Sequence, residues 1–259
     1  MKKFTNTSIA ALGLVLMANV APSWATDSYL NSSSDTLTVT GYSNTGTGGK
    51  LAAKSLTWYT GDGYGIKSTT SEGTPEHAVD NNGYQESLFL NFGAANSTQL
   101  NKVTIGWNGG YDSDITVLAW KPTQYMDPSV SAASIAAPTL VGATYQSLIG
   151  AGWSLVGNYS NLAEDTAKSV NVGSPVSSSY WLVMTYNSLI GAAPNTSSDT
   201  GAKTYSSDSA KDYGKFLSVS YSPGTKTPPN GVPEPSSALL LGAALFGFVG
   251  WRSRRLAAK

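Results

Sequence analysis

His77 is the single histidine of the chain, and it heads the run His77-Ala-Val-Asp80-Asn81-Asn82-Gly83, which ends just before the apolar stretch Glu86 to Phe92. An imidazole beside one carboxylate and two side-chain amides has two chemical readings. One is a metal ligand or general base with oxygen partners. The other is a structural turn, in which short polar side chains bond the loop backbone and Gly83 accepts positive φ. The turn is the expectation. Asp112 and Asp114, with Asp80, are hard oxygen donors of the kind a structural calcium takes, although no spacing fits an EF-hand loop. Solvated loop acids are the plainer reading, and no cofactor is expected. Glu76 with Asp80, and Glu164 with Asp165, are the pairs that glycoside hydrolysis would draw on, provided folding sets them at the right separation. A Ser-His-Asp triad would have to pass through His77, and no Gly-x-Ser-x-Gly elbow occurs. The chain has no Cys, which excludes disulfides, thiolate nucleophiles and Cys-ligated metals.

Tyr64, Tyr84, Tyr111 and Trp107 fall in or beside loops, where flat rings can stack on sugars. Trp107 ends an alternating apolar strand, so core packing is its expected role. Gly61-Asp-Gly-Tyr-Gly65 resembles half a phosphate loop, but no Lys-Ser/Thr pair completes it, and it reads as a turn.

The elements that must position these residues follow a period of two. Leu37 and Val39, Leu56 and Trp58, Leu88, Leu90 and Phe92, and Val103, Ile105 and Trp107 alternate with polar residues, which predicts half-buried strands. Further strands are expected over 114–120, 153–156, 169–172, 180–186 and 215–221, about nine in all, separated by Gly, Asn, Ser and Pro clusters. Helical signal is confined to 129–137 and 162–168, the latter with Asn161 as N-cap. Tyr145-Gln-Ser-Leu-Ile-Gly-Ala recurs as Tyr186-Asn-Ser-Leu-Ile-Gly-Ala, and both copies read as strand exits whose likeness is chance.

Charged residues make up 12% of the chain, against about a quarter in an average domain, and Ser, Thr, Asn and Gly are abundant. Lys2, Lys3, Arg252, Arg254, Arg255 and Lys259 lie in the two ends, which leaves ten of the 16 basic residues against 16 acidic ones, a central charge of about −6. Phosphate neutralisation needs clustered Lys and Arg, so no nucleic-acid partner is expected.

The ends are segments of another kind. Residues 1–25 open with Lys2 and Lys3, continue with the apolar stretch Ile9 to Val20 and close on Ser23-Trp24-Ala25, the pattern of a signal peptide cut by signal peptidase between Ala25 and Thr26. At the other end, residues 223–235 form a Pro-rich linker, 236–251 an apolar transmembrane helix and 252–259 a basic tail. That helix is about 24 Å long against a hydrocarbon core of about 30 Å. Arg252, Arg254 and Arg255 directly after it hold that end in the cytoplasm.

The order Val232-Pro233-Glu234-Pro235, apolar helix, Arg cluster resembles the PEP-CTERM sorting tail of Gram-negative bacteria. The resemblance implies recognition by an exosortase near Pro-Glu-Pro, an inner-membrane intermediate, and release to the cell surface of an exopolysaccharide-producing bacterium. The stretch from Glu76 to Val219, through His77-Ala-Val-Asp-Asn-Asn-Gly83, Val103-Thr-Ile-Gly-Trp107, Gly152-Trp-Ser-Leu-Val-Gly157 and Asp212-Tyr-Gly-Lys-Phe-Leu-Ser-Val219, resembles the exosortase-dependent surface proteins termed XDP1. The Ala78-Val79-Asp80 loop also resembles that of discoidin-like, sugar-binding jelly rolls. The expected architecture is an all-β antiparallel sandwich over 26–222, jelly-roll-like, acting as a non-enzymatic surface or exopolysaccharide-matrix protein. A carbohydrate-binding module and a matrix glycan hydrolase are the alternatives.

Overall fold

The computed structural model describes residues 25–32, 37–73, 75, 77–122, 136–191 and 211–224. Among them are thirteen strands and one helix in two antiparallel sheets. One sheet runs in the order β10 (Trp153–Tyr159), β9 (Ile115–Trp120), β12 (Tyr180–Thr185), β7 (Glu86–Asn91), β2 (Thr38–Gly46), β3 (Lys50–Lys54). The other runs β11 (Lys168–Ser169), β8 (Thr98–Trp107), β13 (Tyr213–Pro223), β5 (Gly63–Ile66), β4 (Leu56–Tyr59). The free part of the β13 edge also takes β6 (Val79–Asp80) and β1 (Thr26–Tyr29). The all-β sandwich expected from alternation is therefore observed.

Its strands are more numerous than the nine expected, and the central ones are not half-buried. Ser87 to Leu90 on β7, and every residue of β9 and β12, are buried. The reason is a second core on the outer face of that sheet. Leu88, Leu90, Val117, Ala119, Trp181 and Val183 face the other sheet and meet Val103, Ile105, Phe216 and Val219. Phe89, Leu118, Trp120, Leu182 and Met184 belong to a separate cluster with Leu51, Leu140, Tyr145, Leu148, Trp153 and Ile190. A strand buried on both faces reads as a continuous apolar run, which is the character of Ile115-Thr-Val-Leu-Ala-Trp120.

The cover of that outer face includes a helix. Residues 145–150, expected as a strand exit, form α1 (Tyr145–Gly150), closed by a capping box in which Thr144 Oγ1 accepts the Ser147 N–H at 3.2 Å and Ser147 Oγ accepts the Thr144 N–H at 3.0 Å. The second copy does leave a strand: the Tyr186 N–H is bonded to Asp114 O, and Asn187 turns the chain by accepting from Leu189 N–H. The helix expected over 162–168 is absent. Asn161 and Asp165 adopt φ of 51° and 55°, which no right-handed helix allows, and Lys168 and Ser169 pair with β8. Residues 129–135 of the other expected helix lie outside the described residues.

Candidate functional site

The register of β13 sorts the molecule into two ends. At its start Tyr213 lies opposite Asp80, and Lys215 opposite Trp107; at its finish Tyr221 lies opposite Thr26, and Pro223 opposite Thr98. Eleven residues of strand separate these ends by roughly 30 Å. The chain leaves the second end for the sorting tail after Gly224, whose N–H is held by Ser97 O at 2.8 Å. Every described candidate site residue of the central domain belongs to the first end.

There the structure brings Asp112 and Asp114 together with Asp212, with carboxylate oxygens from the three within 4.8 Å of one another. A parallel bridge between Asp112 and Asp212, with the Tyr213 N–H bonded to Asp112 O at 2.8 Å, makes the approach. Asp80, expected as the third acid, is not in this group. Its place is taken by its neighbour Asn81, whose Nδ2 donates to Asp212 Oδ2 at 2.8 Å and whose Oδ1 accepts the Asp212 N–H at 2.8 Å. Asp212 Oδ1 accepts the Asp114 N–H at 2.9 Å, Asp114 Oδ1 the Asn161 N–H at 2.7 Å, and Asp112 Oδ1 the Ser113 N–H at 2.8 Å. These three carboxylates are the groups that would hold a cation, and it would compete with four N–H donors for their oxygens. Burial, followed by the charges of Asp112 and Asp114, pushes the Asp212 carboxyl up to about 8.

Asp80 instead shapes the loop. Its Oδ1 accepts the Asn82 N–H at 2.8 Å, an Asx turn, and Gly83 follows at φ 84° as the sequence predicts. Lys211 Nζ donates to Asn82 Oδ1. The Asp80 N–H donates to Oε2 of Glu86 at 3.1 Å, a buried carboxyl whose Oε1 receives the Ser68 hydroxyl at 2.5 Å. Burial pushes Glu86 up to about 8, helped by the nearby Glu72 charge and opposed by its hydrogen bonds from Ser68 and Asp80 and by Lys54. Glu86 thus ties β7 to β6 and to the segment after β5.

His77 is parted from this network. Its Nδ1 lies 3.1 Å from Gly73 O, and its ring packs beside Tyr59 and Trp107 with centroids 5.2 and 6.2 Å away. Between those two rings lies a residue that sequence reasoning passed over. Lys215 Nζ sits 4.2 Å from the Tyr59 centroid, 4.3 Å from that of Trp107 and 3.0 Å from Asp62 Oδ2, with Lys215 4% and Asp62 38% exposed. Trp107 is accordingly no core residue: half-buried at the strand end, it covers an ammonium. A lone Lys inside the apolar run Tyr213 to Val219 was the available signal. Glu164 Oε1 accepts the N–H groups of Asn108 and Gly109 at 2.8 and 2.9 Å, so it closes a loop. Glu76 lies outside the described residues, which leaves its pairing with Asp80 without a geometry.

The N-terminal boundary falls at the start of a strand, since Thr26 is the first residue of β1. Val232, Pro233, Glu234, Pro235, Arg252, Arg254 and Arg255 lie outside the described residues, as does the apolar stretch 236–251. Among the described residues no helix is long and apolar enough to cross a membrane. No curated protein and no solved structure matches the chain. Residues 231–255 match the family model of the PEP-CTERM protein-sorting motif. The chain therefore carries a PEP-CTERM sorting tail, and it is an exported surface protein that reaches the cell surface through a membrane-anchored intermediate processed by an exosortase.

Proposed function

We propose that the exported domain is a non-enzymatic structural or adhesive component of the cell surface and its exopolysaccharide matrix, freed of its signal peptide by signal peptidase at Ala25-Thr26. The sorting motif at 231–255 carries this reading. The acids of the first end support a structural use. Asp114 and Asp212 are 4% and 2% exposed, and both bond loop backbone, which keeps a glycan away from two of the three clustered carboxyls. The rings support it too, since Tyr59 and Trp107 enclose Lys215 where a sugar-binding platform would leave flat faces open.

The test is to incubate the mature protein, purified from its exporting host, with that host's own exopolysaccharide. Co-sedimentation with unchanged polymer length is expected. New reducing ends, released by wild type and lost on Asp212→Ala, would replace the reading with a hydrolase.

A further inference from the structure

The two ends of the sandwich differ in charge as well as in residue type. Among the described residues, segments 93–99, 171–180 and 222–224, which surround the exit of the sorting tail, contain no charged residue, and the adjoining start of β1 adds one, Asp27. Segments 59–63, 80–86, 107–114, 160–165 and 211–215, at the opposite end, contain eight acidic residues, two of them (Glu86 and Asp212) held largely protonated near neutrality by burial, and two lysines. The register of β13 places these groups at its finish and its start, so the asymmetry lies along the strand.

The tail biases how this asymmetry meets the membrane. From Gly224 to the first residue of the apolar stretch, Ser236, the chain spans 12 residues, at most about 40 Å when fully extended. The end bearing Pro223 is therefore tethered close to the bilayer while the tail is uncut. Thr26, where the signal peptide is expected to be removed, lies opposite Tyr221 at that same end. An anionic lipid surface repels acidic groups over about a Debye length and is indifferent to neutral ones. Tether and charge act in the same direction.

Resting on the sorting reading, we infer that the membrane-anchored intermediate stands with its charge-poor end, around Ala95, Ser97, Ser177 and Pro223, toward the lipid surface and the exosortase. The acidic end, with Asp112, Asp114, Asp212 and Trp107, points away from the bilayer.

The chain has no Cys, so single cysteines report position cleanly. Ala95→Cys and Val172→Cys place a dye at the tail end, and Ala163→Cys at the acidic end; all three positions are exposed. Full-length protein is expressed in a host lacking its exosortase and labelled in spheroplasts. Energy transfer is then measured to an acceptor on lipid headgroups of the inner membrane. Transfer from Ala95→Cys and Val172→Cys is expected to exceed that from Ala163→Cys severalfold. Equal transfer from membrane-held protein, or stronger transfer from Ala163→Cys, overturns the orientation alone. Protein missing from the inner-membrane fraction overturns the sorting reading and the orientation with it.

Discussion

The backbone N–H of Asp114 donates to the carboxyl of Asp212 at 2.9 Å, across 98 residues of sequence, and this bond closes the acidic end of the sandwich. It joins the start of β9 to the start of β13, while Asn81 joins Asp212 to the end of β6. A second buried carboxyl, Glu86, does the same for the segment after β5.

Both carboxyls make stability depend on pH. Burial raises Asp212 from 3.8 and Glu86 from 4.5 to about 8 in the folded protein, whereas in the unfolded chain each ionises near its ordinary value. The unfolded state then releases its protons first as pH rises. Stability is complete below about pH 4, declines through neutrality and levels off above about pH 8, where the folded carboxyls ionise too. The loss is at most on the order of 5 kcal/mol for each group. Glu86→Gln is expected to flatten part of the slope, because the amide can accept from Asp80 N–H and donate to Ser68. Urea melts of mature wild type and variant from pH 4 to 9 check this, and parallel curves would count against Glu86 as a source of the slope.

Lys215 and Asp62 lead to an asymmetric expectation. Asp62→Ala strands a buried ammonium with only Tyr59 and Trp107 to face it and is expected to cost about 2–4 kcal/mol. Lys215→Met removes the charge with the need for its partner, keeps the stem packed between the rings and is expected to cost less. Comparing the two variants by denaturant unfolding decides it. A larger loss for Lys215→Met would assign most of the stabilisation to the cation–π contacts.

Legibility of the fold followed the number of apolar residues per strand. Strands β9 and β12 are continuous apolar runs and were read with nearly their observed bounds, although their second buried face was not. Strand β5 has two glycines in four residues, because a Cβ on Gly65 would lie 2.1 Å from His77 O and one on Gly63 2.3 Å from Phe216 O. Close packing of backbone on backbone erased the pattern that announces a strand. Strand β6 is two residues long and has no pattern to read. In the site, Asp112, Asp114 and the loop from Asp80 to Gly83 were found as local clusters. Asp212 was not, because what joins it to Asp114 is a tertiary contact across 98 residues. The helix α1 hid behind a capping box with Ser147 in place of the Glu or Gln that usually signals one.

Glycine at position 65 can be tested directly. Gly65→Ala must displace the His77 backbone and with it the ring that packs on Tyr59, and it is expected to cost about 3 kcal/mol or more. Gly48→Ala is the control: no atom lies within 4 Å of its added Cβ, and its φ of 73° alone costs about 1–2 kcal/mol. Thermal melts of the two variants are expected to rank in that order. A Gly65→Ala protein as stable as Gly48→Ala would show that the β4–β5 hairpin can move off the His77 segment.

The last expectation concerns the mature N-terminus. Cleavage between Ala25 and Thr26 leaves β1 complete, with Thr26 to Tyr29 paired to Tyr221 to Ser218. The only buried residue of this strand is Ser28, and its attachment is reinforced where the Leu30 N–H donates to Leu217 O at 3.0 Å and the Leu30 side chain enters the main core. A cut four residues further on would strip the strand and uncover the hydrogen-bonding edge of β13 over 218–221, a template for pairing with another chain. Thr26 is therefore the expected first residue of protein recovered from its host, read by N-terminal sequencing. A mature form engineered to begin at Leu30 is expected to be less stable by about 1–3 kcal/mol and to self-associate, as followed by light scattering. If wild type is found to begin at Leu30 and is monomeric, β1 is no part of the mature sheet and the cleavage assignment is wrong.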